Sequence, residues 1–145
     1  MILITDSNII FSALMNPNGS LSEIFKTKSR LQFIAPAVLI DEIRNHFDKI
    51  ANFSSLPMNE LREELEAILS KIKVVENNHV PKKYIVEAVK IVADIDYDDA
   101  FFVALHLYKK HKIWTSDKVL INGLEKKGYF ICITTAEVRT HLYKK

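Results

Sequence analysis

The segment ILITDSNII, residues 2–10, decides how the rest of the chain is interpreted. Its first four residues form a short apolar run, and Asp6 follows directly. A strand that is apolar on both faces is typical of the centre of a parallel sheet. The stretch from Asn8 onward has a helical pattern. The segment therefore predicts a central parallel strand, an acidic residue at its carboxyl end, and a helix that leads away.

Short strands alternate with helices along the whole chain. We predict strands at residues 2–5, 31–35, 73–75, 112–117 and 129–133, and helices at 8–16, from 20, 36–50, 58–72, 82–94, 96–110, 118–128 and from 134. This alternation is the signature of an α/β fold. We expect a three-layer α/β/α sandwich with a central, mainly parallel five-stranded sheet, built as a single domain over residues 1–145.

Local signals set several helix starts. Ser20 with Glu23, and Thr134 with Glu137, have the spacing of a capping box. Pro36 is expected to open a helix, where its missing N–H costs nothing.

Composition excludes several classes of protein. The chain has 145 residues, 48% of them hydrophobic, which suits one globular domain with a substantial core. A net charge of +2 does not by itself indicate binding to nucleic acid or membrane. The single Cys132 excludes a cysteine-based zinc site and is expected to be a small buried thiol. No apolar run reaches the roughly 18 residues of a membrane span, so we expect a cytoplasmic protein without membrane contact.

Two predicted strands end in an aspartate. Asp6 follows the first strand, and Asp117 follows the fourth, in IWTSD. Each also precedes a helix, so capping the helix is an equally open role for either residue. Since the carboxyl ends of parallel strands meet at one edge of the sheet, both are candidates for a site there.

The segment DIDYDDAFFVALHL, residues 94–107, adds further acids. If it is helical throughout, Asp96 and Asp99 share one face and Asp98 points about 100° away from Asp99. Carboxylates in a first helical turn complement the helix dipole, by roughly 0.3–1 kcal/mol each. One cap would meet that need, however, and clustered carboxylates beside a core raise one another's pKa unless a cation neutralises them.

Glu42 is a further candidate, beside the apolar stripe of the third helix, although it could simply pair with His46 on the surface. A site made of carboxylate oxygens alone, with no cysteine or histidine cluster, favours a hard cation such as Mg²⁺ or Mn²⁺. Such ions commonly meet a substrate phosphate. The residues thus indicate metal-dependent phosphoryl transfer or hydrolysis.

At these residues the sequence resembles the PIN domain family, the small metal-dependent nucleases that include VapC-like toxins. The similarity lies in four motifs in order: ILITDSNII, APAVLIDEI, DDAFFVALHL and IWTSDKVL. Each motif is short and degenerate, but the ordered set is more specific and spans essentially the whole chain.

The resemblance implies roles for individual residues. Asp6, Glu42, Asp99 and Asp117 would be the catalytic acids and metal ligands, and Asp96 a fifth ligand. Asn8 and Thr115 would orient carboxylates by hydrogen bonds, and Lys118 would contact the substrate. The register leaves Asp98 as an alternative to Asp99, and Asp41 as a weaker alternative to Glu42.

The implied function is a metal-dependent endoribonuclease that uses Mg²⁺ or Mn²⁺ to hydrolyse phosphodiester bonds. RNA rather than DNA follows from the family's habits, not from the residues. A role as the toxin of a toxin–antitoxin pair, an antitoxin partner and a homodimer all stay open. Two alternatives also remain: a catalytically inactive PIN-fold module that binds RNA or protein, and another doubly wound phosphoryl-transfer domain such as a receiver or a phosphatase. Asp6-Ser7-Asn8 suits neither of the last two well.

Overall fold

The computed structural model describes residues 1–142 and contains one five-stranded sheet within them. All strand pairs are parallel and the spatial order is β3-β2-β1-β4-β5, with β1 (Ile2–Thr5), β2 (Gln32–Pro36), β3 (Ile72–Val75), β4 (Ile113–Trp114) and β5 (Cys132–Ile133). The predicted central position of the first strand is confirmed. Its residues Leu3 and Ile4 are fully buried, as a strand covered on both faces requires.

Eight helices connect and flank the strands in this part of the chain. They are α1 (Ser7–Met15), α2 (Ser20–Lys26), α3 (Val38–Phe53), α4 (Met58–Leu69), α5 (Lys82–Val92), α6 (Ala100–Lys109), α7 (Lys118–Lys126) and α8 (Thr135–Leu142). Short 3₁₀ turns at Asn77–His79 and Tyr97–Asp99 precede α5 and α6. Among residues 1–142, no helix is both long and apolar enough to cross a membrane.

Helices cover both faces of the sheet, so the predicted three-layer α/β/α architecture is confirmed. On one face, the Phe25 ring of α2 packs against Trp114 and Phe33, with ring centroids 5.3 and 5.0 Å apart. On the other face, α6 contacts β1, β2 and β4 and packs along α5. The α6 residues Phe102 and Val103 are buried, which is why this helix is apolar along most of its length.

The register brings the carboxyl ends of β1 and β4 together. Thr5 pairs with Trp114, and the Asp6 N–H donates to the Trp114 carbonyl at 3.1 Å. The residues that follow these two strands are therefore neighbours, although more than 100 positions separate them in the sequence. This edge of the sheet is where α/β folds place their ligands.

Some local predictions are wrong at the residue level. Ser20 is the first residue of α2 and not its cap. The capping position is occupied by Gly19, which has no side chain to form a capping hydrogen bond. Pro36 ends β2 instead of opening α3, since the chain pairs with β3 as far as Pro36 and the helix begins at Val38. The predicted box at Thr134 and Glu137 is confirmed: the Thr134 N–H donates to Glu137 Oε1 and the Glu137 N–H to Thr134 Oγ1.

The segment before α6 also differs from the prediction. Asp96 has an extended backbone and caps the 3₁₀ turn Tyr97–Asp99, its Oδ1 accepting from the Asp98 N–H at 2.9 Å. The α-helix begins only at Ala100. Asp96 and Asp99 are thus not on one helical face. An aspartate that caps its own following turn competes with helix continuation, which explains the late start.

Candidate carboxylate site

Asp6 is a buried carboxylate held by a residue that directly follows another strand, β4. It is 4% exposed, and its Oδ2 accepts a 2.6 Å hydrogen bond from Thr115 Oγ1. Although Asp6 stands at the capping position of α1, its side chain makes no capping hydrogen bond. The capping explanation, open from the sequence, therefore does not account for Asp6.

Asp117 does cap its helix. Its Oδ1 accepts from the backbone N–H groups of Val119 at 3.0 Å and Leu120 at 3.2 Å. The Thr115 hydroxyl also accepts from the Asp117 N–H at 3.0 Å. Thr115 thus ties Asp6 to the start of α7, and it agrees in position with the orienting role expected for it. The cap uses one oxygen of Asp117 and leaves Oδ2 for another partner.

Glu42 is linked to Asp6 through Ser7. The Ser7 hydroxyl lies 2.6 Å from Glu42 Oε2 and 3.4 Å from Asp6 Oδ1. A hydroxyl has one proton to donate, and the shorter distance assigns it to Glu42. Glu42 is half-buried while its neighbour Asp41 is exposed, so of the two it is Glu42 that faces the cluster. His46 packs edge-on against Phe11.

The three acids in the turn before α6 differ in how deeply they are buried. Asp99 is 8% exposed, whereas Asp96 and Asp98 are exposed. Of the two register alternatives, Asp99 is therefore the one that the fold turns inward. The Asp96 side chain is held at the rim of the site by the capping hydrogen bond that it accepts from the Asp98 N–H.

The carboxylates act on one another electrostatically. Burial, followed by the charges of Asp6, Asp96, Asp117 and Glu42, raises the pKa of Asp99 from its ordinary 3.8 to about 7. Such mutual elevation is expected when several carboxylates share a poorly solvated site. The five acids expected from the sequence are therefore within electrostatic reach of one another.

The pKa values of two other acids move in the same direction. Burial raises the pKa of Asp6, an effect that Thr115 and the nearby backbone N–H of Asn8 partly offset and that Asp117 reinforces. Burial also raises the pKa of Glu42, which its bond from Ser7 opposes.

Two oxygens of this cluster are buried without a partner. Glu42 Oε1 and Asp99 Oδ2 have no hydrogen-bond partner among residues 1–142. The hydroxyl of Thr5, next to Asp6 in the chain, also has none there. Leaving a buried polar atom unsatisfied costs about 1–3 kcal/mol, so such atoms call for an explanation. Unpaired carboxylate oxygens in an oxygen-only donor set fit a hard divalent cation. In this part of the chain, however, no three His, Cys, Asp or Glu side chains are already grouped as a metal site.

Three further residues bear on the sequence-based assignments. Asn8 is exposed, and it acts on Asp6 through its backbone N–H, so an orienting role for its side chain stays a prediction. Lys118 is exposed on the first turn of α7, beside Asp117. Ser7 was not singled out from the sequence; only its position directly after Asp6 could have drawn attention to it.

The thiol of Cys132 is not activated as a nucleophile or as a metal ligand. It is half-buried, and burial together with the charges of Asp6, Glu125, Asp99 and Asp117 raises its pKa to about 12. A thiol that stays protonated at neutral pH is neither a nucleophile nor a soft metal ligand.

Comparisons with known proteins agree with this fold. The chain superposes on a chain in the crystal structure of VapBC2 from Rickettsia felis bound to a DNA fragment from their promoter, with a TM-score of 0.61 and 14% sequence identity. The match covers 92% of this chain and 97% of that chain. No curated protein sequence matches significantly. The sequence model of the PIN domain matches residues 4–143, nearly the whole chain, and the protein therefore belongs to the PIN domain family.

Proposed function

We propose that the protein is a metal-dependent nuclease that hydrolyses phosphodiester bonds, with RNA as substrate. PIN domains are generally nucleases, and family membership separates the chain from receivers and phosphatases. The observation that carries the proposal is the buried group of carboxylates at the carboxyl ends of β1 and β4, with the unpaired oxygens Glu42 Oε1 and Asp99 Oδ2. A merely structural cluster would satisfy those oxygens.

The residues suit Mg²⁺ or Mn²⁺. We assign Asp6, Glu42, Asp99 and Asp117 as catalytic acids and ligands, with Asp96 as a further ligand at the rim. When bound, the cation would neutralise the carboxylates, polarise the scissile phosphate and lower the pKa of water. Because no three such side chains are already grouped as a metal site among residues 1–142, binding would require the carboxylates to move closer together.

The protein's own groups hold the site in shape. Thr115 fixes the orientation of the Asp6 carboxylate through Oδ2, and Ser7 fixes that of Glu42 through Oε2, which leaves Glu42 Oε1 without a partner. Outer residues of this kind commonly decide how well a metal is bound. Without a cation, burial and the neighbouring carboxylates raise the pKa of Asp99 to about 7, and a bound divalent cation would favour its ionised form.

The first test is cleavage of RNA with Mn²⁺ or Mg²⁺. Wild type is expected to cut a single-stranded RNA and to leave a 3′-hydroxyl, whereas Asp6→Asn and Asp99→Asn are expected to be inactive. Asp98→Asn is the matched control, because it makes the same change on the same turn at an exposed position. Equal cleavage by wild type and by the Asp6 and Asp99 variants would contradict the proposal.

The inactive-module alternative predicts a different result. RNA would bind without divalent metal and would not be cut under any condition. The unpaired buried carboxylate oxygens argue against that alternative, since a binding module has no use for them.

A role as the toxin of a toxin–antitoxin pair is a narrower proposal. One structural neighbour is a chain of VapBC2, but at 14% identity the likeness shows the fold only. An antitoxin partner, a homodimer and a cytoplasmic location stay predictions. A small upstream reading frame with a DNA-binding pattern, whose product binds this protein and blocks cleavage, would support the toxin assignment.

A further inference from the structure

A groove leads away from the carboxylate site along α7. It has a volume of about 350 Å³ and lies between Asp94–Ile95 and the helix residues Val119, Asn122, Gly123, Lys126 and Lys127. The helix begins directly after Asp117, so one end of the groove adjoins the proposed reaction site. The groove is a separate feature from the carboxylate cluster, with different lining chemistry.

The wall and floor of the groove depend on a glycine. A Cβ at Gly123 would come within 2.8 Å of Ile95 Cδ1 and Cγ1, so only glycine lets Ile95 pack this closely on α7. A glycine inside a helix costs roughly 0.5–1 kcal/mol relative to alanine, and close packing of this kind explains its presence. The contact fixes the segment that leads into Asp96 and Asp99 against the helix that carries Asp117.

The exposed side of α7 has a regular polar stripe. Lys118, Asn122 and Lys126 are spaced by four, which places them on one helical face, and all three are exposed. The two lysines are eight residues apart and thus about 12 Å along the helix. Neither makes an ion pair within residues 1–142, whereas Lys127 is occupied by Asp94 and the Ile91 carbonyl.

Two apolar side chains in or near the groove are exposed. Val119, which lines the groove, is 68% exposed on the first turn of α7, and Tyr97, two residues after the groove residue Ile95, is 63% exposed on the 3₁₀ turn before α6. The cap of Asp96 holds that turn, so Tyr97 stands on a fixed backbone. An exposed aromatic ring and unpaired lysines near a groove are features of single-strand binding, because unpaired bases stack on the ring while lysines contact the phosphates.

We propose that this groove binds the single-stranded RNA segment next to the scissile phosphate. Lys118 and Lys126 contact successive parts of the phosphate backbone, and Val119 and Tyr97 receive unpaired bases. Asn122 offers an amide for hydrogen bonding to a base edge. Duplex RNA has its bases stacked internally, so it offers phosphates to the lysines but no unpaired bases to Val119 and Tyr97. The inference rests on the proposed nuclease function, since it extends the same site.

The test measures RNA binding apart from cleavage. A fluorescein-labelled single-stranded RNA 12-mer is titrated with full-length protein in EDTA, using wild type and Asp6→Asn, with intact RNA verified on a gel. Lys126→Ala is expected to weaken binding several-fold and to reduce the slope of log affinity against log salt by about 0.7, the value for one lost phosphate contact on a single strand. Lys126→Arg should restore both.

Lys71→Ala is the matched control, because Lys71 directly precedes β3 and lies at the opposite edge of the parallel sheet. It should leave affinity and slope unchanged. Tyr97→Ala should weaken binding about fivefold or more, while Tyr97→Phe retains the ring and the affinity. A duplex of the same sequence should bind more weakly than the single strand.

Any of three results would contradict the proposal that the groove binds RNA. These are failure of the wild type to bind the 12-mer, an RNA affinity of Lys126→Ala equal to that of Lys71→Ala, and binding of the duplex as tight as that of the single strand. Failure of the nuclease proposal looks different: no cleavage with Mn²⁺ or Mg²⁺ while the effects of Lys126 and Tyr97 on binding remain. RNA cleavage together with an unchanged RNA affinity of Lys126→Ala would contradict the groove proposal but not the nuclease proposal.

Discussion

Replacing Asp99 by asparagine should change how the stability of the protein depends on pH. The Asp99 carboxyl has a pKa of about 7 in the folded protein against an ordinary 3.8. The folded state therefore binds the proton more tightly than the unfolded state, and the wild type loses stability as the pH rises from about 4 to about 7. Asp99→Asn removes this loss because an amide does not ionise. The stability of the variant relative to the wild type should therefore increase as the pH rises.

The size of the effect follows from the two pKa values. At about 1.4 kcal/mol per pH unit, the difference between 3.8 and about 7 sets a ceiling of about 4 kcal/mol. Solvent reaches part of the Asp99 carboxyl and screens its neighbours, which reduces the expected effect to about 2 kcal/mol. The loss falls between about pH 4 and about pH 7, so measurements at about pH 5 and about pH 8 capture roughly two thirds of it.

The measurement is denaturant unfolding in EDTA at these two pH values. Asp99→Asn should be stabilised relative to the wild type at the higher pH by roughly 1–2 kcal/mol more than at the lower pH. Asp98→Asn, an exposed change on the same turn, should show little such difference. Added Mg²⁺ should raise the stability of the wild type at the higher pH and have much less effect on Asp99→Asn. A free-energy difference between wild type and Asp99→Asn that is the same at both pH values would refute the reasoning.

Substitutions at three further residues test the contacts around the carboxylates. Ser7→Ala removes the hydrogen bond to Glu42, and we expect metal-dependent cleavage to need about 10–100-fold more Mg²⁺, measured by metal titration of the rate. Thr115→Val preserves side-chain shape but leaves buried Asp6 Oδ2 without its donor, so the free energy of unfolding should fall by about 1–3 kcal/mol in urea, and unchanged stability would contradict the assignment. Asp117→Asn retains a capping oxygen and should keep near-wild-type stability while losing cleavage, whereas Asp117→Ala should lose about 1 kcal/mol as well. Equal stability of the two Asp117 variants would mean that the cap contributes nothing.

The order of strands and helices could be predicted because hydrophobic periodicity is a local property. The apolar run before Asp6 and the four-residue spacing in α3 are visible in the sequence, and both elements formed as expected. The box at Thr134 was predictable for the same reason, since its partners are three residues apart. Pro36 was misassigned because pairing with β3, a distant strand, extends β2 through it.

The sequence by itself determined the fold class and the PIN-like motif order, and it singled out the acids that we propose for the site. Only the tertiary structure decided which acids are buried: Asp6 is freed from capping by a bond from Thr115, 109 residues away, while Asp117 keeps its cap. It also decided that Asp99 faces inward and Asp98 outward, and that Ser7 bonds Glu42. The physical reason is that capping depends on neighbours within three residues, whereas burial and carboxylate coupling depend on strands and helices that meet only when the sheet has assembled.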